Sequence, residues 1–165
     1  MKNLKSLCLL ILFAVTTVQA QVPDSIPAFK KFLTYDKGHR VTRDSLNMDN
    51  KQVFVLFDPG CGPCQAFGSA LGDKLKDLDP KVDYYFISME STQLIDGYIN
   101  MFAPKLKGHP QVHFLRDPEG EFILLFNPKN FPSTYIYDRK SGKLLLHDET
   151  EEKLVKMLPY LKRDK

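Results

Sequence analysis

The sequence predicts an α/β fold, a central mixed sheet flanked by helices, from three observations. The continuous apolar run Val53-Phe54-Val55-Leu56-Phe57 suits a strand buried on both faces of a parallel sheet. Helical spacing of Phe67, Leu71, Leu75 and Leu78 follows it, and Val82 to Met89 then alternates aromatic and aliphatic residues, so residues 53 to 89 make a βαβ unit. A further pair of strand patterns around Asp138-Arg139-Lys140-Ser141-Gly142 predicts an antiparallel hairpin, which makes the sheet mixed.

The first strand lies within residues 46 to 57 and should be central. In the helix after it, Gly68 and Gly72 are four apart and would allow close packing or a kink at some cost in propensity. Asp79-Pro80 ends that helix, and its crossover to the second strand should be right-handed. Ser91 or Thr92 caps a second helix with an apolar face of Leu94, Ile95, Tyr98, Ile99 and Phe102, which Pro104 stops. A short strand spans Val112 to Leu115, while Phe122 to Phe126 fits either a strand or a buried helix. Ser133 to Tyr137 and Lys143 to His147 are the hairpin strands. Leu154, Met157, Leu158 and Leu161 trace a terminal amphipathic helix, for which Thr150 is the cap. By strand alternation Tyr84, Tyr85 and Phe86 read as core or sheet-face residues rather than a binding stripe.

Residues 1 to 20 stand apart. Lys2 and Lys5 precede an apolar core from Ser6 to Val15 and the small-residue end Val18-Gln19-Ala20, the pattern of a cleaved signal peptide. That core is too short to span a bilayer, and no later stretch approaches the roughly 20 apolar residues a spanning helix needs, so stable membrane insertion is not expected. Removing the leader leaves 145 of 165 residues, one domain over 21 to 165. The leader holds two lysines and no acid, so the formal charge drops from +3 to about +1, which gives no reason to expect a nucleic-acid partner.

Export would also remove Cys8 and leave Cys61 and Cys64 in a compartment where disulfides persist. Together they form Cys61-Gly62-Pro63-Cys64, directly after the first strand and at the start of the helix. A bridge across so small a loop constrains the unfolded chain only modestly, so stability is a poor explanation for the pair. Disulfide exchange is the better one.

This tetrapeptide in its strand-before, helix-after setting resembles the thioredoxin superfamily and matches the active-site sequence of thioredoxin itself. The wider chain resembles the exported TlpA/ResA-like branch. Pro27-Ala28-Phe29, Thr34 to Val41 and Ser45-Leu46 resemble its N-terminal hairpin extension, and Pro132 to Asp138 followed by Gly142-Lys143 resembles its cis-proline strand and hairpin. The resemblance implies a thioredoxin-like fold, a cis bond at Phe131-Pro132, and a role for Pro132 in shaping the substrate groove. It departs from the family at Asp58-Pro59-Gly60, where a tryptophan commonly precedes the first cysteine, and in the strand, which lacks thioredoxin's buried aspartate.

Only a thiolate attacks a disulfide, and Cys61 sits where unpaired backbone N–H groups and the positive end of the helix dipole favour an anion. Cys61 is therefore the candidate nucleophile, and Cys64, one turn further in, the resolving thiol. Gly62 and Pro63 support them, Pro63 by supplying a helix-compatible φ. In thioredoxin the Gly-Pro pair accompanies a reducing potential of about −270 mV, against about −120 mV for the oxidant DsbA, which favours a reductase. By resemblance the substrates are disulfides of exported proteins in a periplasm or outside the cell, with electrons from a membrane donor. No cofactor is expected.

Three rivals have sequence support. A thioredoxin-like binding module would carry the pair as a structural disulfide. His109 and His113 are four apart and would complete a Cys2His2 metal set with the cysteines, although they lie more than 40 residues away and flank Pro110. Peroxiredoxins share the opening hairpin, but their peroxidatic cysteine follows a threonine or serine three residues earlier, where Asp58 stands here. His39 and His147 read as turn and strand-edge residues without a role.

Overall fold

The computed structural model describes residues 21–150 and 153–163. The leader expected over residues 1 to 20 lies outside the described residues. Seven strands form one mixed sheet: β1 (Phe32–Thr34), β2 (Arg40–Val41), β3 (Lys51–Leu56), β4 (Val82–Ser88), β5 (Val112–Arg116), β6 (Ser133–Tyr137) and β7 (Leu144–Asp148). Their order is β2-β1-β5-β4-β3-β6-β7. The β3–β4 and β4–β5 pairs are parallel, and β6 runs antiparallel to β3 and β7.

Every residue of β3 and β4 is buried, the polar Lys51, Gln52, Asp83 and Ser88 included, as suits central strands covered on both faces. Alternation then divides the core between the two faces. Val53, Val55, Tyr84, Phe86 and Ile136 pack with the helices α1 (Gly62–Lys74), α2 (Thr92–Met101) and α4 (Lys153–Leu161). Phe54, Leu56, Tyr85, Ile87, Tyr135 and Tyr137 pack with α3 (Glu121–Phe126) and with Phe29 and Phe32 of the N-terminal segment. Burying each of these large side chains contributes about 1.5–3 kcal/mol before the cost of ordering it. The expected N-terminal extension is the β1–β2 hairpin, which turns through Gly38 at φ +66° and pairs with the edge of β5.

The ambiguous segment is helical. Asp117 accepts the Glu121 and Phe122 N–H groups at 3.0 and 2.7 Å, so its carboxylate supplies the first-turn acceptors of α3. Phe122 and Phe126, one turn apart, then stack at 4.1 Å, while Ile123 and Leu124 face outward. Two features differ from the periodicity. Helix α1 closes at Lys74 and passes into a 3-10 turn over Leu75–Asp77, and Leu94 of α2 is 52% exposed, outside the buried face of Ile95, Tyr98 and Ile99. Thr150, the expected cap of α4, accepts the Lys153 N–H at its carbonyl. Its hydroxyl donates to Asp148 and accepts from Lys156, and residues 151–152 lie outside the described residues.

Candidate active site

Cys61 occupies the N-cap of α1 in extended conformation, with φ −80° and ψ 115°. Gly62 and Pro63 fill the first two helical positions, where a missing N–H costs nothing, and both are exposed. The Cys61 side chain accepts the Cys64 N–H at 3.3 Å, so it already takes one of the first-turn donors that would receive a thiolate. Behind it, Asp58 folds the approach from β3: its carbonyl accepts the Cys61 N–H, and its carboxylate accepts the Gly60 N–H at 2.6 Å. Gln65 donates to the Pro59 carbonyl and fastens the same turn to the helix.

The two sulfurs are unbridged and 2.6 Å apart, with the Cys64 thiol donating to Cys61. Their surroundings differ. Cys61 is partly exposed, whereas Cys64 is fully buried among Phe57, Phe67 and Tyr98. Burial pushes the Cys64 thiol well above its ordinary value, and its hydrogen bond to Cys61 adds to the rise. The arrangement provides one accessible sulfur at a helix terminus and one shielded, protonated sulfur within reach of it.

Tyr98 holds the inner end. Its buried hydroxyl donates to the Cys64 carbonyl at 3.0 Å, and burial keeps that hydroxyl protonated. The ring fits because position 68 is glycine: a Cβ there would overlap the Tyr98 hydroxyl and sit 3.2 Å from Ala103 Cβ. The close approach expected of Gly68 is thus the packing of α1 on α2.

The opposite wall comes from the loop before β6. The Phe131-Pro132 bond is cis, Pro132 is buried and Phe131 is 40% exposed. The Cys61 thiol lies 3.8 Å from the Phe131 carbonyl, to which it donates. Sequence reasoning brought Cys61, Gly62, Pro63, Cys64 and Pro132 to one place. It missed the Phe131 carbonyl and the Tyr98 hydroxyl: a backbone acceptor has no residue signature, and Tyr98 reads as an ordinary member of an apolar helix face.

The Cys2His2 alternative does not assemble. His113 stacks on Tyr85 and lies 3.8 Å from Asp83, while His109 accepts the Gln111 N–H. Among the described residues no three side chains of His, Cys, Asp and Glu gather to hold a metal ion. Also among them, no helix is long and apolar enough to cross a membrane.

No family model matches the chain, and no curated protein matches it. Solved structures do. A thioredoxin-like protein from Aeropyrum pernix aligns over 81% of this chain and 89% of its own, at 14% identity and TM-score 0.62. A secreted Mycobacterium tuberculosis disulfide oxidoreductase, described as homologous to E. coli DsbE, aligns over 81% and 96%, at 16% identity and TM-score 0.62. A thiol-disulfide oxidoreductase from Bacteroides fragilis aligns over 82% and 98%, at 17% identity and TM-score 0.62. The chain has the thioredoxin-like fold, with a Cys61–Cys64 pair in contact at the start of α1.

Proposed function

We propose that the chain is a thiol-disulfide oxidoreductase in which Cys61 attacks and Cys64 resolves. The observation that carries this reading is the asymmetry of the pair: a partly exposed sulfur at a helix N-cap touches a fully buried one whose thiol is held protonated. The Cys61 thiolate attacks a substrate disulfide, forming a mixed disulfide and releasing one substrate thiolate. Cys64 then gives up its proton and displaces the second substrate thiolate from Cys61. The substrate gains two electrons and two protons, and the Cys61–Cys64 pair becomes a disulfide. Pro132, buried beside the Phe131 carbonyl, shapes the groove in which the substrate chain lies.

The working direction is reduction, favoured by the Gly62-Pro63 pair between the cysteines. The substrates are disulfides of exported proteins, met in a periplasm or outside the cell after removal of residues 1 to 20. A reductase in an oxidising compartment must be recharged, so a membrane electron donor completes the cycle.

Trapping tests the reading. Cys64→Ser is expected to accumulate a Cys61-linked mixed disulfide with an oxidised protein substrate, and Cys61→Ser to accumulate none. Absence of the trapped species in Cys64→Ser would leave the pair as a structural disulfide in a binding module, and hydrogen peroxide consumption through Cys61 would instead identify a peroxidase.

A further inference from the structure

One polar cluster lies outside the cysteine pair, directly beside Pro132. Glu149, just past β7, places Oε1 within hydrogen-bond reach of three groups: the Lys129 N–H at 2.8 Å, the Ser133 hydroxyl at 2.6 Å and His147 Nε2 at 3.3 Å. Ser133 is the residue after Pro132, and Lys129 lies in the loop before it, so a single carboxylate oxygen spans the Phe131-Pro132 segment from both sides. The cluster continues inward. The Ser133 hydroxyl is 3.1 Å from Tyr135 Oη, Tyr135 donates to the Phe126 carbonyl at the end of α3, and the Tyr135 ring stacks on His147 at 4.4 Å.

Serine, histidine and glutamate together suggest a hydrolytic triad, and the geometry rejects one. Ser133 is fully buried, so its hydroxyl meets no substrate. Both Ser133 Oγ and Glu149 Oε1 approach the same imidazole nitrogen, Nε2, at 3.3 Å, whereas a triad needs the acid on the far nitrogen to orient the base. The Glu149 side chain is only 12% exposed, and although burial works against its charge, the bonds from Ser133, Lys129 and His147 outweigh it and hold the carboxyl below the usual carboxylate range. It is an ionised acceptor fixed in place, built to hold a loop.

We propose that Glu149 is a positioning residue of the active site: by tying Lys129 and Ser133 to the edge strand it fixes the Phe131 carbonyl opposite Cys61 and sets the groove wall on that side. This rests on the proposed exchange activity for its consequence, though not for its geometry. Lys129 and Ser133 flank the segment whose carbonyl meets the Cys61 thiol, so freeing them lets that carbonyl swing away. A substrate chain would then meet an unformed wall, while a small disulfide that needs no wall would react as before.

The test compares the wild-type protein with Glu149→Ala and Glu149→Gln, the last keeping one side-chain carbonyl oxygen as acceptor. With disulfide-bonded insulin as the protein substrate, Glu149→Ala is expected to lose roughly tenfold in kcat/KM, chiefly through KM, as charge-assisted bonds are removed. Its rate with a small aromatic disulfide should stay within about twofold, and Glu149→Gln should recover most of the loss on protein substrate. Equal losses on both disulfides, or no loss on either, would overturn the proposal. Carbon-13 labelling supplies a readout independent of activity: the Cys61 Cβ resonance should move in Glu149→Ala and return in Glu149→Gln. A Cys61 resonance unmoved in Glu149→Ala, with the Lys129 amide newly open to exchange, would also overturn it. A wild type that reduces neither disulfide, with the Cys61 resonance still moved in Glu149→Ala, would fail the proposed function and leave the positioning role standing.

Discussion

On the helix side of Cys61 the contacts come from its immediate neighbours in the chain: the Asp58 carbonyl behind, the Cys64 N–H and thiol ahead, and Gln65 one turn on. On the loop side they come from 70 residues away, at the Phe131 carbonyl, and that loop is in turn tied to Glu149 beyond the next strand. The helix side forms as soon as the first turn of α1 forms. The loop side exists only once β6 is seated between β3 and β7, because the sheet alone brings residues 129 to 133 against residue 61. Local geometry should therefore govern the chemistry of the sulfurs, and long-range pairing should govern what reaches them.

Substitutions on the two sides should separate accordingly. The largest effect is expected from Cys61→Ser, which should reduce exchange to background by any assay, since a hydroxyl does not replace a thiolate nucleophile at neutral pH. Next is Gly68→Ala. A methyl there ordinarily favours a helix by about 1 kcal/mol, but here it displaces the Tyr98 hydroxyl, and overpacking should destabilise the fold by about 1–3 kcal/mol in urea unfolding. Tyr98→Phe removes only the bond to the Cys64 carbonyl and should cost about 0.5–1.5 kcal/mol, with a measurable rise in Cys64 reactivity. Native alkylation with iodoacetamide at pH 7 should label Cys61 in preference to Cys64 by more than about tenfold, because Cys64 is buried and its thiol pushed up. A peptide map with equal labelling would dissolve the distinction between the sulfurs.

The smallest effect concerns acid. Burial opposes ionisation of Asp148 and Glu149, yet bonds from Thr150 and Lys156 to the first, and from Ser133, Lys129 and His147 to the second, leave both below their unfolded values. A depressed carboxyl adds stability above its unfolded pKa of about 4 and loses it as pH falls through the lower folded value. Asp117 has the opposite sign: burial raises it, so its contribution is greatest at low pH and is lost as pH rises. The clean measurement is the difference between wild type and Glu149→Gln in denaturation midpoint, which should shrink as pH is lowered from 5 to 3. A constant difference would show that Glu149 holds the loop without its charge.

The same local-versus-distant division decides what was legible in the sequence. The continuous apolar run Val53 to Phe57 marked β3 as central, and alternation of aromatic and aliphatic residues marked β4 as its neighbouring strand. The tetrapeptide marked the helix side of the site because its residues are neighbours. The β1–β2 hairpin and the cis bond before Pro132 came through family resemblance, not periodicity, which carries no mark of either. Phe122 to Phe126 stayed ambiguous because an apolar run of five fits both periods, and the deciding residue was Asp117, several positions upstream, through its bonds to Glu121 and Phe122. His147 looked idle because Ser133 meets it only across the β6–β7 pair, and Glu149 reaches it only where the chain turns after β7. Leu94 looked buried by spacing because it sits at the margin of the α2 stripe, where a small rotation of the helix decides exposure.

The central claim is that Cys61 and Cys64 interconvert between dithiol and disulfide in the folded protein with a reducing potential. Equilibrating residues 21 to 165 with defined ratios of reduced and oxidised dithiothreitol, and reading the fraction of free thiol, tests it most directly. The account predicts a reversible two-electron transition near thioredoxin's value of about −270 mV. A transition near DsbA's value of about −120 mV would contradict the reducing direction, and a pair that does not cycle at all would contradict the claim itself.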